Sequence, residues 1–190
     1  GLRIHELLVM SNHVHLEVGD HYGNHPEAFA FFEAMLARQV NAMIGESGAV
    51  FEPYEVTELL DDAAMLDTAA YVLANPVKDH VVEKAMQWHG VTTWAMEYGE
   101  RVVIKRPRVG LWADVGEKQR RSARKRKPDS SGRAKYRAKP SRLPDEVELE
   151  LVRPPCMPGH SDAQVRSEVR ARVVKSEEKA RDERMQTGKR

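Results

Sequence analysis

Cysteine is all but missing from this chain. Cys156 is the only one in 190 residues, so no disulfide can form within it, and a reducing cytoplasm is the expected home. Long apolar runs are missing too: no stretch approaches the roughly twenty residues of a membrane helix, and no signal peptide can be read. An excess of either charge is absent, the formal net charge being +1. With 41% hydrophobic and 31% charged residues, the composition fits one soluble domain with tails.

What the chain does have is a pair of imidazoles two residues apart, in Met10-Ser11-Asn12-His13-Val14-His15-Leu16-Glu17-Val18. Read as a β-strand, the stretch puts His13 and His15 on one face and Val14, Leu16 and Val18 on the other. At roughly 3.3 Å per residue the two rings root about 7 Å apart, close enough to lean onto one cation. Such a pair on an exposed strand face often does nothing on its own. No third His, Asp or Glu stands at a recognisable spacing, which weighs against an unrelated metallohydrolase.

Further downstream, Asp61 or Asp62 caps a run of helix formers that Pro76 should end or kink after about thirteen residues. On that helix Tyr71 and Asn75 are four apart and share a face. Taken alone they would read as a rim tyrosine and a helix-end asparagine.

Together the motifs say more. Asn12-His13-Val14-His15-Leu16 followed by Tyr71-x-x-x-Asn75-Pro76-Val77, with Trp88-His89-Gly90-Val91-Thr92-Thr93-Trp94 shortly after, resembles the HUH single-tyrosine transposases, in particular the REP-associated tyrosine transposases. The likeness spans roughly Arg3 to Gly99. It implies that His13, His15 and Asn75 hold a divalent cation, Mg2+ or Mn2+, and that Tyr71 attacks a phosphodiester of single-stranded or hairpin DNA. The resulting intermediate would be a 5′-phosphotyrosine beside a free 3′-hydroxyl. A phenol with a reference pKa of about 10 is a weak nucleophile at neutral pH, so it needs such help. Lys78, Arg101, Lys105 and Arg106 are candidate contacts to the DNA backbone. A cytoplasmic protein beside the bacterial nucleoid, possible as a homodimer, would follow.

The resemblance also implies an α+β, ferredoxin-like antiparallel sheet with helices on one face. The family's first strand and helix have no counterpart ahead of the histidine strand, so an N-terminally truncated form with an exposed sheet edge is expected. In Val50-Phe51-Glu52-Pro53-Tyr54-Glu55 the acids stand where the family has a basic, glycine-containing segment, and they would repel phosphate. A non-catalytic, domesticated or decayed DNA-binding remnant is therefore the alternative.

The organisation reads as a catalytic domain over 1–115, a basic arm over 116–142 and a tail over 143–190. Arg3 to Met10 and His13 to Val18 should pair as antiparallel strands. Pro26 should open a helix to Ile44, with Phe29, Phe32, Leu36, Val40 and Met43 as a core stripe. Val50 to Leu59 reads as a further strand. From Lys118 to Arg142, twelve basic residues face Asp129 alone, a composition that suits a phosphate-binding arm or a solvated linker. Glu146 to Val152 alternates as a short strand. Ser161-Asp162 should cap a helix to about Arg184, with Val165, Val169 and Val173 as one narrow apolar stripe.

Overall fold

The computed structural model describes residues 1–105 and 145–187. Its elements are β1 (Arg3–Val9), β2 (Val14–Gly19), α1 (His25–Ile44), α2 (Asp62–Lys78), a 3-10 turn at Ala85–Gln87, β3 (Arg101–Lys105), β4 (Glu146–Glu150) and α3 (Asp162–Thr187). The α+β class holds, with β1 paired to β2 and β3 paired to β4. Among the described residues no helix is long and apolar enough to cross a membrane. Contacts gather into two units. One is built from Gly1–Phe31, Pro53–Arg101 and the described chain from Glu150 onward, the other from Phe32–Glu52 and the described residues of Val102–Leu149.

The first unit starts from an antiparallel hairpin in which Leu8 faces His15 and Glu6 faces Glu17, with a bulge between Ile4 and Glu6. The far edge of β1 is occupied by two distant segments. Val9 N–H bonds Val91 O (2.9 Å), Thr93 N–H bonds Leu7 O (3.0 Å), and Val152 N–H bonds Ile4 O (2.9 Å). Trp88 reaches across as well, its indole N–H donating to Val9 O at 3.2 Å. Gly90 permits this, since a Cβ there would meet the indole nitrogen at 2.5 Å. The sheet edge left without a strand among the described residues is that of β2.

Helix α2 begins where Asp61 accepts from Ala64 N–H at 2.7 Å, as an N-cap should. It does not stop at Pro76: it runs seventeen residues and takes the proline into its last turn. There the missing N–H sacrifices a single bond, and the carbonyls of Asn75, Pro76 and Val77 are all satisfied by Asp79, Val81 and His80. His80, at φ 57°, turns the chain away. Burial of Asn75, Pro76 and Val77 outweighs the local preference against helix before proline.

Packed on α2 lies α3, which is capped by a reciprocal pair: Ser161 N–H donates to Gln164 Oε1 (2.7 Å) and Gln164 N–H to Ser161 Oγ (3.3 Å). Its stripe Val165, Val169 and Val173 is fully buried against Leu66, Ala69, Leu73, Ala74 and Val77. Each such valine contributes about 1.5–3 kcal/mol by leaving water. Small residues on α2 let the two helices approach closely. Cys156 is buried in the same core.

The hairpin face turned towards α2 is largely polar. Arg166 of α3, fully buried, forms an ion pair with buried Glu6 and donates to Thr93 O at 2.6 Å. Glu6 also accepts from Thr93 Oγ1 (2.5 Å) and Tyr98 Oη (2.7 Å). Burial pushes Glu6 up, while Arg166 and the two hydroxyls pull it back. Glu17 lacks such partners: burial, with Glu6 beside it, lifts its pKa to about 8.

Two expectations fail here. The stripe on α1 is not core: no α1 residue is buried, and Met43 is 82% exposed. An apolar stripe shows only which face could be buried, and the face of α2 is closed by α3 instead. Nor is Val50 to Leu59 a strand, for it has no regular secondary structure. Pro53 cannot donate to a ladder, and Tyr54 instead stacks edge-on against Phe29, with ring centres 5.2 Å apart.

In the second unit α1 is followed by Gly45, whose φ of 75° favours glycine, and Asn41 Nδ2 donates to Gly48 O at 2.9 Å. There β3 lies beside β4, and Lys105 sits 3.9 Å from Glu146.

Candidate active site

Strand β2 and helix α2 bring together the residues that the sequence singles out. His13 ends the hairpin turn and His15 stands on β2, their ring centres 4.7 Å apart at 80°. From α2, Tyr71 places its ring 5.5 Å from that of His15 at 88°. One turn later Asn75, itself buried, points Oδ1 at His13 Nε2 from 3.3 Å. Lys78, a further turn on, lays its ammonium over the Tyr71 ring, 3.7 Å from the centre. Spacing of four and three along one helix puts all three on one face.

The hydrogen bonds define which nitrogens are free. His13 Nδ1 lies 2.7 Å from Asn12 Oδ1, an oxygen that only accepts, so Nδ1 carries the proton. In the neutral ring Nε2 then presents a lone pair, and it faces the lone pairs of Asn75 Oδ1. His15 Nε2 is buried with no hydrogen-bond partner. Burial lowers the His15 pKa, the His13 ring adds to it, and Asn75 and Asp79 oppose, which keeps the imidazole available as a ligand. His13 Nε2 and Asn75 Oδ1 lie 3.3 Å apart with the His15 ring beside that of His13, so these three side chains are the ones that could hold a small divalent cation. Among the described residues no group of three or more His, Cys, Asp or Glu is arranged to hold a metal, so the set depends on the asparagine oxygen.

Tyr71 is 44% exposed, open enough to meet a large substrate. Burial lowers the Lys78 pKa, Asp79 opposes this, and Lys179 of α3 adds to it. Arg101 pairs with Glu150 at 3.0 Å and Lys105 with Glu146, so the strand cations are already engaged by β4 carboxylates. Arg106 and the basic stretch 118–142 lie outside the described residues.

Asn12, which orients His13, and the α3 side chains next to Tyr71 were not singled out by the sequence. Asn12 had a signal in its place directly before the histidine pair. Lys175 and Lys179 looked like an ordinary solvated helix face.

No family model, no curated protein and no solved structure matches the chain.

Proposed function

We propose that this chain is a metal-dependent single-tyrosine DNA strand transferase that cuts and rejoins single-stranded or hairpin DNA. The observation that carries the reading is the meeting of the exposed Tyr71 with the partly buried His15 and His13 and the buried Asn75. His13 Nε2, His15 Nε2 and Asn75 Oδ1 would hold Mg2+ or Mn2+. A bound cation would polarise the scissile phosphate and stabilise the charge that develops on it.

Tyr71 Oη forms a bond to phosphorus as the bond from phosphorus to the 3′-oxygen breaks. The phenol gives up its proton to water and the leaving 3′-oxygen takes one, so the step is proton-neutral overall. A 3′-hydroxyl then attacks the phosphotyrosine, restoring the phenol and sealing a strand. Lys78 over the ring holds the side chain in place. Cytoplasmic location and pairing into homodimers are part of the same reading.

A labelled hairpin oligonucleotide with Mn2+ should give a covalent adduct that survives denaturing gels. An equal yield from Tyr71→Phe removes the tyrosine from the mechanism. The second reading is a DNA-binding remnant that no longer cuts, favoured by Glu52 and Glu55. Salt-sensitive hairpin binding without any adduct would select it.

A further inference from the structure

Between α2 and α3 runs an open groove of about 540 Å³, and Tyr71 and Lys78 form part of one wall. The opposite wall presents Arg172, Lys175 and Lys179 from α3, with Ala70 and Ala180 keeping the walls low. Two carboxylates, Asp67 and Glu183, also line it. Asp67 is tied up in an ion pair with Arg172, which Glu168 also contacts at 3.1 Å. Glu183 stands 4.0 Å from Lys179, a loose, exposed pair that contributes little. Lys175 has no ion pair among the described residues.

We propose that this groove is a phosphate track, in which Lys175 and Lys179 of α3, facing Lys78 of α2, grip the single DNA strand on one side of the phosphate that Tyr71 attacks. The proposal rests on the strand-transfer reading and extends it to a second element. Three lysines converge on one groove, and Lys78 and Lys179 repel one another across it. An anion entering between them relieves that repulsion. Lys175 and Lys179 are four residues apart, about 6 Å along the helix. That matches a rail touching successive phosphates of an extended strand, and lysine suits the task as a mobile point charge that reads no sequence. Tyr71 at the groove wall gives the track its direction: the strand it holds is the one being cut.

Lys175 and Lys179 are both exposed, so their replacement leaves the core intact. The test uses the whole chain carrying Tyr71→Phe, in which no covalent chemistry can intervene. Binding of a fluorescent single-stranded oligonucleotide is followed over a range of NaCl, with and without Lys175→Gln and Lys179→Gln together. Loss of two phosphate contacts should flatten the slope of log affinity against log salt by about 1.4. The Lys175→Arg, Lys179→Arg pair should keep the parent slope. An unchanged slope in the glutamine pair overturns the proposal. So does an equal flattening by Arg3→Gln, a charge lost elsewhere, or the absence of any salt-dependent binding by the parent. Adduct formation by the chain with Tyr71 intact is scored separately, so a failed cutting reaction and a failed track are told apart.

Discussion

The His15 and Tyr71 rings stand edge to face, centres 5.5 Å apart, although one comes from a strand and the other from a helix fifty-six residues later. Nothing in the local sequence dictates that meeting. Pairing of β1 with β2 aims His15 at α2, and the Asp61 cap sets the turn on which Tyr71 falls.

Tyr71→Phe should abolish the covalent DNA adduct and leave the fold untouched. The side chain is largely exposed, so the stability change should stay within about 0.5 kcal/mol in a urea melt. A larger loss of stability would mean that the phenol is a packing element.

Asn12→Ala should weaken Mn2+ binding by roughly 10–100-fold while removing no ligand, because it frees the His13 ring to turn. Titration calorimetry reads this directly. Asn75→Ala should lose the third donor and weaken binding further, whereas Asn75→Asp, with a charged oxygen in place, should strengthen it. If Asn75→Asp and Asn75→Ala bind the ion alike, the amide is no ligand.

Glu17 makes stability fall as pH rises. Its folded pKa of about 8 lies above the unfolded carboxyl value, so between those limits the folded chain holds a proton that the unfolded chain has released. The contribution is fully present below the unfolded value and is lost through pH 8, at up to about 1.4 kcal/mol per pH unit. Glu17→Gln should remove this slope, leaving the variant more stable than the parent at pH 8.5. Denaturant melts across that range would show it, and parallel curves for the two proteins would contradict it.

Arg166→Ala should destabilise by about 3–5 kcal/mol, because it strands the buried Glu6 carboxylate. Replacing both, as Glu6→Gln with Arg166→Met, should recover most of that loss. Chemical denaturation of the two variants gives the comparison.

Local rules read much of this chain. The hairpin, the start of α2, the extent of α1 and the capped C-terminal helix follow from period, caps and turn residues. The histidine pair shares its face with buried Glu17, as strand alternation requires. Tertiary choices lay beyond those rules. The stripe on α1 looked like core because period reports the shape of a face and not whether another surface reaches it. Pro76 looked like a stop because its own preference is local, while the burial that overrides it comes from distant segments, with Val77 packed in the core shared with α3 and Asn75 against His13. Nothing local marks Arg166 as a core residue, since its partners Glu6 and Thr93 lie far away in sequence. Val50 to Leu59 has strand-like composition without a neighbour to pair with.

The outer edge of β1 depends on residues made very late. His5 Nδ1 bonds Val152 O at 2.7 Å across 147 positions, and Leu151 lies beside Ile4. A chain leaving the ribosome must therefore keep the Ile4 end of this edge unpaired until Leu151 and Val152 have been made. Nascent chains of this protein should rely on chaperone cover in that interval, and premature stops before Leu151 should yield aggregates in place of a smaller folded protein.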